Sequence, residues 1–418
     1  MKPFFSKTIR ALAITALTLL AGPAQAAGPA VDIVTGPAAP KLEQLAAREL
    51  AGQLQLLFEA DVNITAEAKG TDRTILLGSP ATNPAIKNLP RGKWPKLSAQ
   101  GHLVRSVTRN GRPVLVVGGG SPVATLWAAY EVGYHFGLRT LLHADFPPMK
   151  KPDFSLLGID IVREPNLKIR AWRVLETSPA GPESWSLADH EIRLRQLAKL
   201  KFNRVVLALH AGQPFVHFEH AGTAKQEGVL WQGKVFRVDG ETAGRAAFGR
   251  DRVFGNPDFQ GATTYEARVK AGVRLITGII SAAHDLGMTV ALQISPDEFP
   301  QPFALRSPKA TAKKRALANA QLAAYRKTYP DVDAWILQPT KSGGRVLASS
   351  NRPESKKAMD RCELIFLGSP TGGVLPEFDT DRLHQAVERA RGQKLDGFVA
   401  ASWLPDDLNS SSHYLSRA

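Results

Sequence analysis

The sequence predicts an α/β protein, with a small N-terminal α/β domain followed by a TIM-type (β/α) barrel that is abbreviated or truncated. Three observations carry this expectation. Residues 31 to about 150 alternate short apolar strands with helical patterns, and a proline-rich stretch at 147–165 interrupts them. Beyond it, strand and helix alternate as far as residue 401. At 418 residues the chain can hold two or three domains and a large core. Hydrophobic residues at 44% and charged residues at 22%, with no low-complexity tract, exclude a disordered, collagen-like or coiled-coil chain.

The elements follow in order. Lys2, Lys7 and Arg10 precede an apolar run at 11–21 and then Ala24-Gln25-Ala26, so residues 1–26 read as a secretory signal peptide and the product as periplasmic or secreted. That run falls short of the about 20 residues needed to span a bilayer, and no later stretch reaches that length, so no membrane span is expected. Residues 27–150 form the N-terminal domain. Strands are expected at 31–34, from Asp61, at 73–77, at 102–108 and at 114–117, the last two joined by Asn110-Gly111, a strong hairpin signal. A helix at 40–58 places Leu42, Leu45, Ala46, Leu50, Leu54 and Leu57 at helical spacing, and another covers 122–136. Residues 151–165 read as a linker, and 166–418 as an incomplete barrel. Its strands are expected at 169–175, 204–209, 289–294, 334–337, 364–367 and 397–401, with helices at 187–200, 269–286, 317–325 and 383–391. Six strands fall short of eight, and the polar stretch 341–357 either hides a strand or marks an abbreviation.

Other chemistry is narrowed by residue counts and motifs. A single cysteine, Cys362, rules out internal disulfides and every Cys-cluster metal site. The net charge of +15 favours an acidic partner if it gathers on one face, yet Lys and Arg are scattered, so no nucleic acid is expected; an acidic polysaccharide suits an exported chain better. Gly118-Gly119-Gly120-Ser121-Pro122 lacks both GxGxxG and the Gly-Lys-Ser/Thr ending, so close strand–helix packing explains its glycines better than a nucleotide does.

In a barrel the site is built where strands end at their C-terminal side. Glu176, His210, Ser295-Pro296-Asp297-Glu298, Gln338-Pro339-Thr340 and Ser402-Trp403 stand there. Two carboxyl groups are the usual requirement of glycoside hydrolysis, and Glu176 with Asp297 or Glu298 could supply them; neighbours point to opposite sides, so one of Asp297 and Glu298 should face the pocket. The alternative is helix capping or ion pairing with Arg. Arg173 and Arg170 flank the first strand; they could clamp a sugar carboxylate or pair with Glu176 or Glu164. The long insertion 210–266 carries many aromatic rings, of which Trp231 is the candidate for stacking on a sugar, although a small loop core would use the same rings. Trp403 could floor the pocket or anchor the barrel end. His210, His217 and His220 follow no recurring zinc spacing, so hydrogen bonding by His210 is expected rather than metal ligation, and no cofactor is expected.

The run Ala128-Ala129-Tyr130-Glu131-Val132-Gly133, with Gly137-Leu138-Arg139, resembles the close of the small domain that precedes the barrel in bacterial α-glucuronidases and β-hexosaminidases. Leu197-Ala198-Lys199-Leu200-Lys201-Phe202-Asn203 is similar to the approach to the second strand of those barrels. The resemblance implies a carbohydrate substrate and hydrolysis, while the site must carry the argument for function. It also implies a carboxylate at the end of the fourth strand, where this chain has Gln338-Pro339-Thr340, and a helical region after the last strand, where it stops at Ala418. Two functions are therefore expected in competition. One is an exported glycoside hydrolase, with an α-glucuronidase-like activity among the options, working by carboxylate acid/base catalysis. The other is a carbohydrate-binding protein on a degenerate hydrolase fold.

Overall fold

The computed structural model describes residues 28–67, 73–89, 94–142, 144–174, 181–230, 236–237, 253–254, 256–303, 312–338, 345–350, 359–367 and 380–402. The expected leader, Glu176, Trp231, Thr340 and Trp403 lie outside them.

The first sheet orders its strands β2-β1-β3-β5-β4-β6, where β1 is Ala30–Val34, β2 Asp61–Thr65, β3 Thr74–Leu77, β4 His102–Arg109, β5 Arg112–Gly119 and β6 Asp160–Arg163. Asn110 and Gly111 both take positive φ, 52° and 76°, as a two-residue hairpin turn requires, and this sets Arg109 opposite Arg112. Helices α1 (Lys41–Phe58) and α2 (Pro122–His135) cover one face. Ala46, Leu50, Leu54 and Leu57 of α1 are buried there, as the helical period requires. Ser121 caps α2 by accepting the Ala124 N–H, and a Cβ on Gly119 would stand 2.5 Å from Ala124. The triple glycine is thus explained by packing. Part of the stretch read as a linker joins this sheet, because β6 pairs antiparallel with β4, Leu103 opposite Val162, and sets Ile161 against the core.

The second unit is a closed barrel of seven strands in the order β8-β9-β10-β11-β12-β13-β7. They are β7 (Ile169–Val174), β8 (Arg204–Leu209), β9 (Thr289–Ile294), β10 (Ala334–Leu337), β11 (Arg345–Ser350), β12 (Met359–Leu367) and β13 (Gly397–Ser402). Helices α3 (Leu187–Lys199), α4 (Tyr265–Asp285), α5 (Ala312–Thr328) and α6 (Thr380–Gly392) lie between strands in sequence. The TIM-type expectation is met only in part. The stretch after β10 does hold a strand, β11, but it runs antiparallel to both neighbours. The reason is chain length: residues 338–344 and 351–358 are each shorter than the dozen or so residues a parallel crossover needs.

Inside the barrel, small apolar side chains meet, among them Ala171, Val206, Ala291, Ala334, Ala348 and Val399, while Trp172, Leu207, Leu292 and Phe398 face outward to the helices. Arg204 closes the end where the strands begin, bonding Asp360 at 2.8 Å and Thr289 at 3.0 Å. Arg173, 2% exposed, and Gln293, also 2% exposed, bring polarity to the other end. No helix among the described residues is long and apolar enough to cross a membrane.

Candidate functional site

Alternation along β8 puts Val206 inside the barrel and therefore turns His210, just past the strand end, toward the mouth. Its imidazole is fixed from below. Nδ1 accepts the Gly212 N–H at 3.0 Å, so in the neutral ring the proton sits on Nε2. That Nε2 lies 3.8 Å from Oε2 of Glu298, which arrives from the segment after β9. Both side chains are about one-third exposed, although the Oε2 that faces His210 is itself buried, and the separation is longer than a hydrogen bond. Asp297 is exposed while Glu298 is half-buried, so it is Glu298 that the structure brings to His210.

A second layer holds His210 in place. Gln213, fully buried, accepts the His210 N–H at 2.7 Å and donates to Glu183 at 2.8 Å. Glu183, 2% exposed, stands in the segment after β7, which Ser186 anchors as the cap of α3 and His190 anchors by meeting the Pro182 carbonyl at 2.9 Å. Below them the ammonium of Lys225, 1% exposed, donates to the carbonyls of Gln213 at 2.6 Å and Val216 at 3.1 Å; burial pushes its pKa down to about 7. Tyr325 is fully buried, and burial, with Glu298 as the nearest carboxylate felt, pushes its hydroxyl above the ordinary phenol range.

The predicted residues thus divide. His210, Glu298 and Arg173 gather at or inside the barrel mouth. Glu176, Trp231 and Trp403 lie outside the described residues. Gln338 uses its amide oxygen to accept the Leu347 N–H at 3.2 Å, tying it to β11. Arg170 is corrected outright: it faces outward at the beginning of β7, over the Trp127 ring at 4.9 Å, and is far from the strand's C-terminal end. His217 bonds the Tyr265 hydroxyl at 2.8 Å and His220 joins a short ribbon; among the described residues no group of three or more His, Cys, Asp or Glu is placed to hold a metal ion. Sequence reasoning missed Glu183 and Lys225. A carboxylate in the loop after the first barrel strand was a usable signal for the first, whereas nothing in the sequence marks Lys225 as buried.

Residues 24–132 match the family model described as Glycosyl hydrolase family 67 N-terminus. No curated protein matches the chain. Among solved structures, a family GH115 4-O-methyl-α-glucuronidase with specificity for decorated arabinogalactans aligns with a TM-score of 0.51 at 12% identity, over 93% of this chain and 56% of that one. A GH138 enzyme targeting pectin rhamnogalacturonan II aligns with a TM-score of 0.44 at 14% identity, over 73% of this chain and 38% of that one. The GH20 exo-β-N-acetylglucosaminidase from Vibrio harveyi gives a TM-score of 0.33 at 15% identity, over 65% and 34%. The chain therefore spans 38% and 56% of the length of the GH138 and GH115 structures it matches. The chain thus resembles glycoside hydrolases, through a family 67 N-terminal match and a fold similar to that of the GH115 structure over most of its length.

Proposed function

We propose that this protein is an exported glycoside hydrolase acting on polysaccharide or oligosaccharide, with residues 27–150 as the N-terminal domain and 166–418 as the catalytic barrel. The observation that carries the reading is the Glu298–His210 pair at the mouth, 3.8 Å apart on the C-terminal ends of neighbouring strands. Glu298 is the acid/base carboxyl group. The Nε2–H of His210 faces it across 3.8 Å; the Gly212 N–H fixes the imidazole through Nδ1, and the Gln213–Glu183 layer holds the His210 backbone. Glu176, two residues beyond β7 in the sequence, is the second carboxylate that glycoside hydrolysis calls for. Arg173 sits at the same end and suits an acidic sugar. The reaction needs no cofactor, and the substrates of the resembling enzymes make uronic-acid-bearing plant polysaccharide the first to try.

The test is turnover of aryl glycosides and glucuronoxylan oligomers. Glu298→Gln and Glu176→Gln should each lower turnover by about 10²–10⁴-fold, the worth of a positioned acid or base; unchanged rates in both would remove the site assignment. A second reading, a sugar-binding protein that has lost hydrolysis, is favoured by Gln338, whose neutral amide is spent on β11 where the resembling barrels are expected to carry a carboxylate. Measurable sugar affinity without turnover on any glycoside would select it.

A further inference from the structure

Two segments that carry the family resemblance meet at the seam between the two units. Lys201 donates to Glu131 at 2.7 Å, both buried, and Arg163 approaches the same carboxylate at 3.5 Å. Beside this cluster opens a cleft of about 560 Å³, lined by His102, Arg163, Glu164, Asn166, Arg170 and Lys201 among others. Its charges do not cancel. Glu131 answers Lys201 and Arg163, and Glu164 is held by the N–H and hydroxyl of Ser98 at 2.8 and 2.7 Å. Arg170, 5% exposed, meets only neutral oxygens: Lys201 O at 2.8 Å, Leu167 O at 2.9 Å and Gln100 Oε1 at 2.7 Å. Its Nη2 is buried without a hydrogen-bond partner among the described residues, and no carboxylate there pairs with it. The Trp127 face offsets part of that cost, but a guanidinium stays charged at any working pH, and a buried charge without a counter-charge is expensive. His102, 1% exposed, is kept neutral by burial; Nδ1 faces the Gln100 carbonyl at 3.3 Å, which leaves Nε2 as an unused acceptor.

We propose that this seam cleft is a binding site, separate from the barrel mouth, for a small monoanionic hydroxy-carboxylate. Its carboxylate supplies the counter-charge to Arg170 and Arg163, and its hydroxyl donates toward His102. Arg170 and His102 line the cleft while their Nη2 and Nε2 atoms are themselves buried, so binding requires local re-packing of the lining. Three cations against two carboxylates favour a monoanion over a phosphate dianion. The inference does not rest on the proposed hydrolase activity.

The experiment is calorimetric titration of the full chain with D-glucuronate, with D-glucose as its neutral counterpart and with inorganic phosphate, followed by hydrogen exchange to locate the site. Glucuronate should bind while glucose does not, protecting amides within 98–102 and 162–170. Arg163→Glu, at a half-exposed position, should weaken binding by roughly fivefold or more, and added salt should weaken it further. Arg170→Gln should abolish binding; if that variant does not fold, Arg163→Glu decides. No binding at about 10 mM, protection confined to the barrel mouth, equal affinity for glucose, or phosphate bound in place of glucuronate would each overturn the proposal.

Discussion

At the scale of single residues, the account turns on what Glu298 is given by its neighbours. Because the Gly212 N–H occupies Nδ1 of His210, the neutral ring can turn only Nε2–H toward Glu298, 3.8 Å away. Replacing His210 with Gln should lower turnover by about tenfold; unchanged turnover would show that the ring plays no part in the reaction. Strand ends and side-chain alternation in the sequence pointed separately to His210 and to one of Asp297 and Glu298, but not to their pairing. Arg170 and Arg173 show the limit of that reading. They are three residues apart on one strand, so alternation sends one inside the barrel and the other out to the neighbouring domain, and proximity in sequence misplaced Arg170. Glu183 and Lys225 owe their roles to contacts made by a single 3-10 turn and by the residue after a two-residue strand, segments too short to carry a period.

Among the elements, those with a strong hydrophobic period were read close to their observed ends. The helix 40–58 and the hairpin around Asn110-Gly111 are examples, each fixed by local chemistry. β11 was not resolved in the sequence because Val346, Leu347 and Ala348 are its only apolar residues, and its reversed direction follows from short connections rather than from its own composition. The joint between α2 and the turn after α3 carries a prediction of its own. Glu131 is 1% exposed and its bond to Lys201 replaces the water both groups lose. Lys201→Met should cost about 3–5 kcal/mol of stability by taking the ammonium away from a buried carboxylate. Adding Glu131→Met should return part of that loss, as read by urea unfolding in a double-mutant cycle; additive losses would show that the two groups do not act as a pair.

For the molecule as a whole, two buried histidines set how it responds to acid. Burial lowers the pKa of His102 to about 3 and of His190 to about 4. In the unfolded chain both titrate near 6.5, so below that pH the unfolded state takes up protons that the folded state refuses. Their contribution is intact above about pH 6.5 and is lost progressively as pH falls toward the folded values; at pH 5 the loss is about 2 kcal/mol for each. Urea midpoints at pH 7 and pH 5 should therefore differ, and His190→Gln should shrink that difference by about half, whatever it does to stability at pH 7. An unchanged pH dependence would mean that His190 is protonated in the folded state. His190 also anchors the segment that bears Glu183, so acid that titrates it loosens the layer behind His210. Both units, the seam between them and the mouth are thus linked through a few buried polar groups.

The most direct measurement is turnover of glucuronoxylan oligomers and aryl glycosides by the wild-type chain and by Glu298→Gln, with sugar affinity measured on both. The account predicts hydrolysis by the wild type and a loss of about 10²–10⁴-fold in the variant with binding retained. Equal turnover in the two proteins would contradict the role of Glu298, and binding without turnover in the wild type would contradict the hydrolase itself.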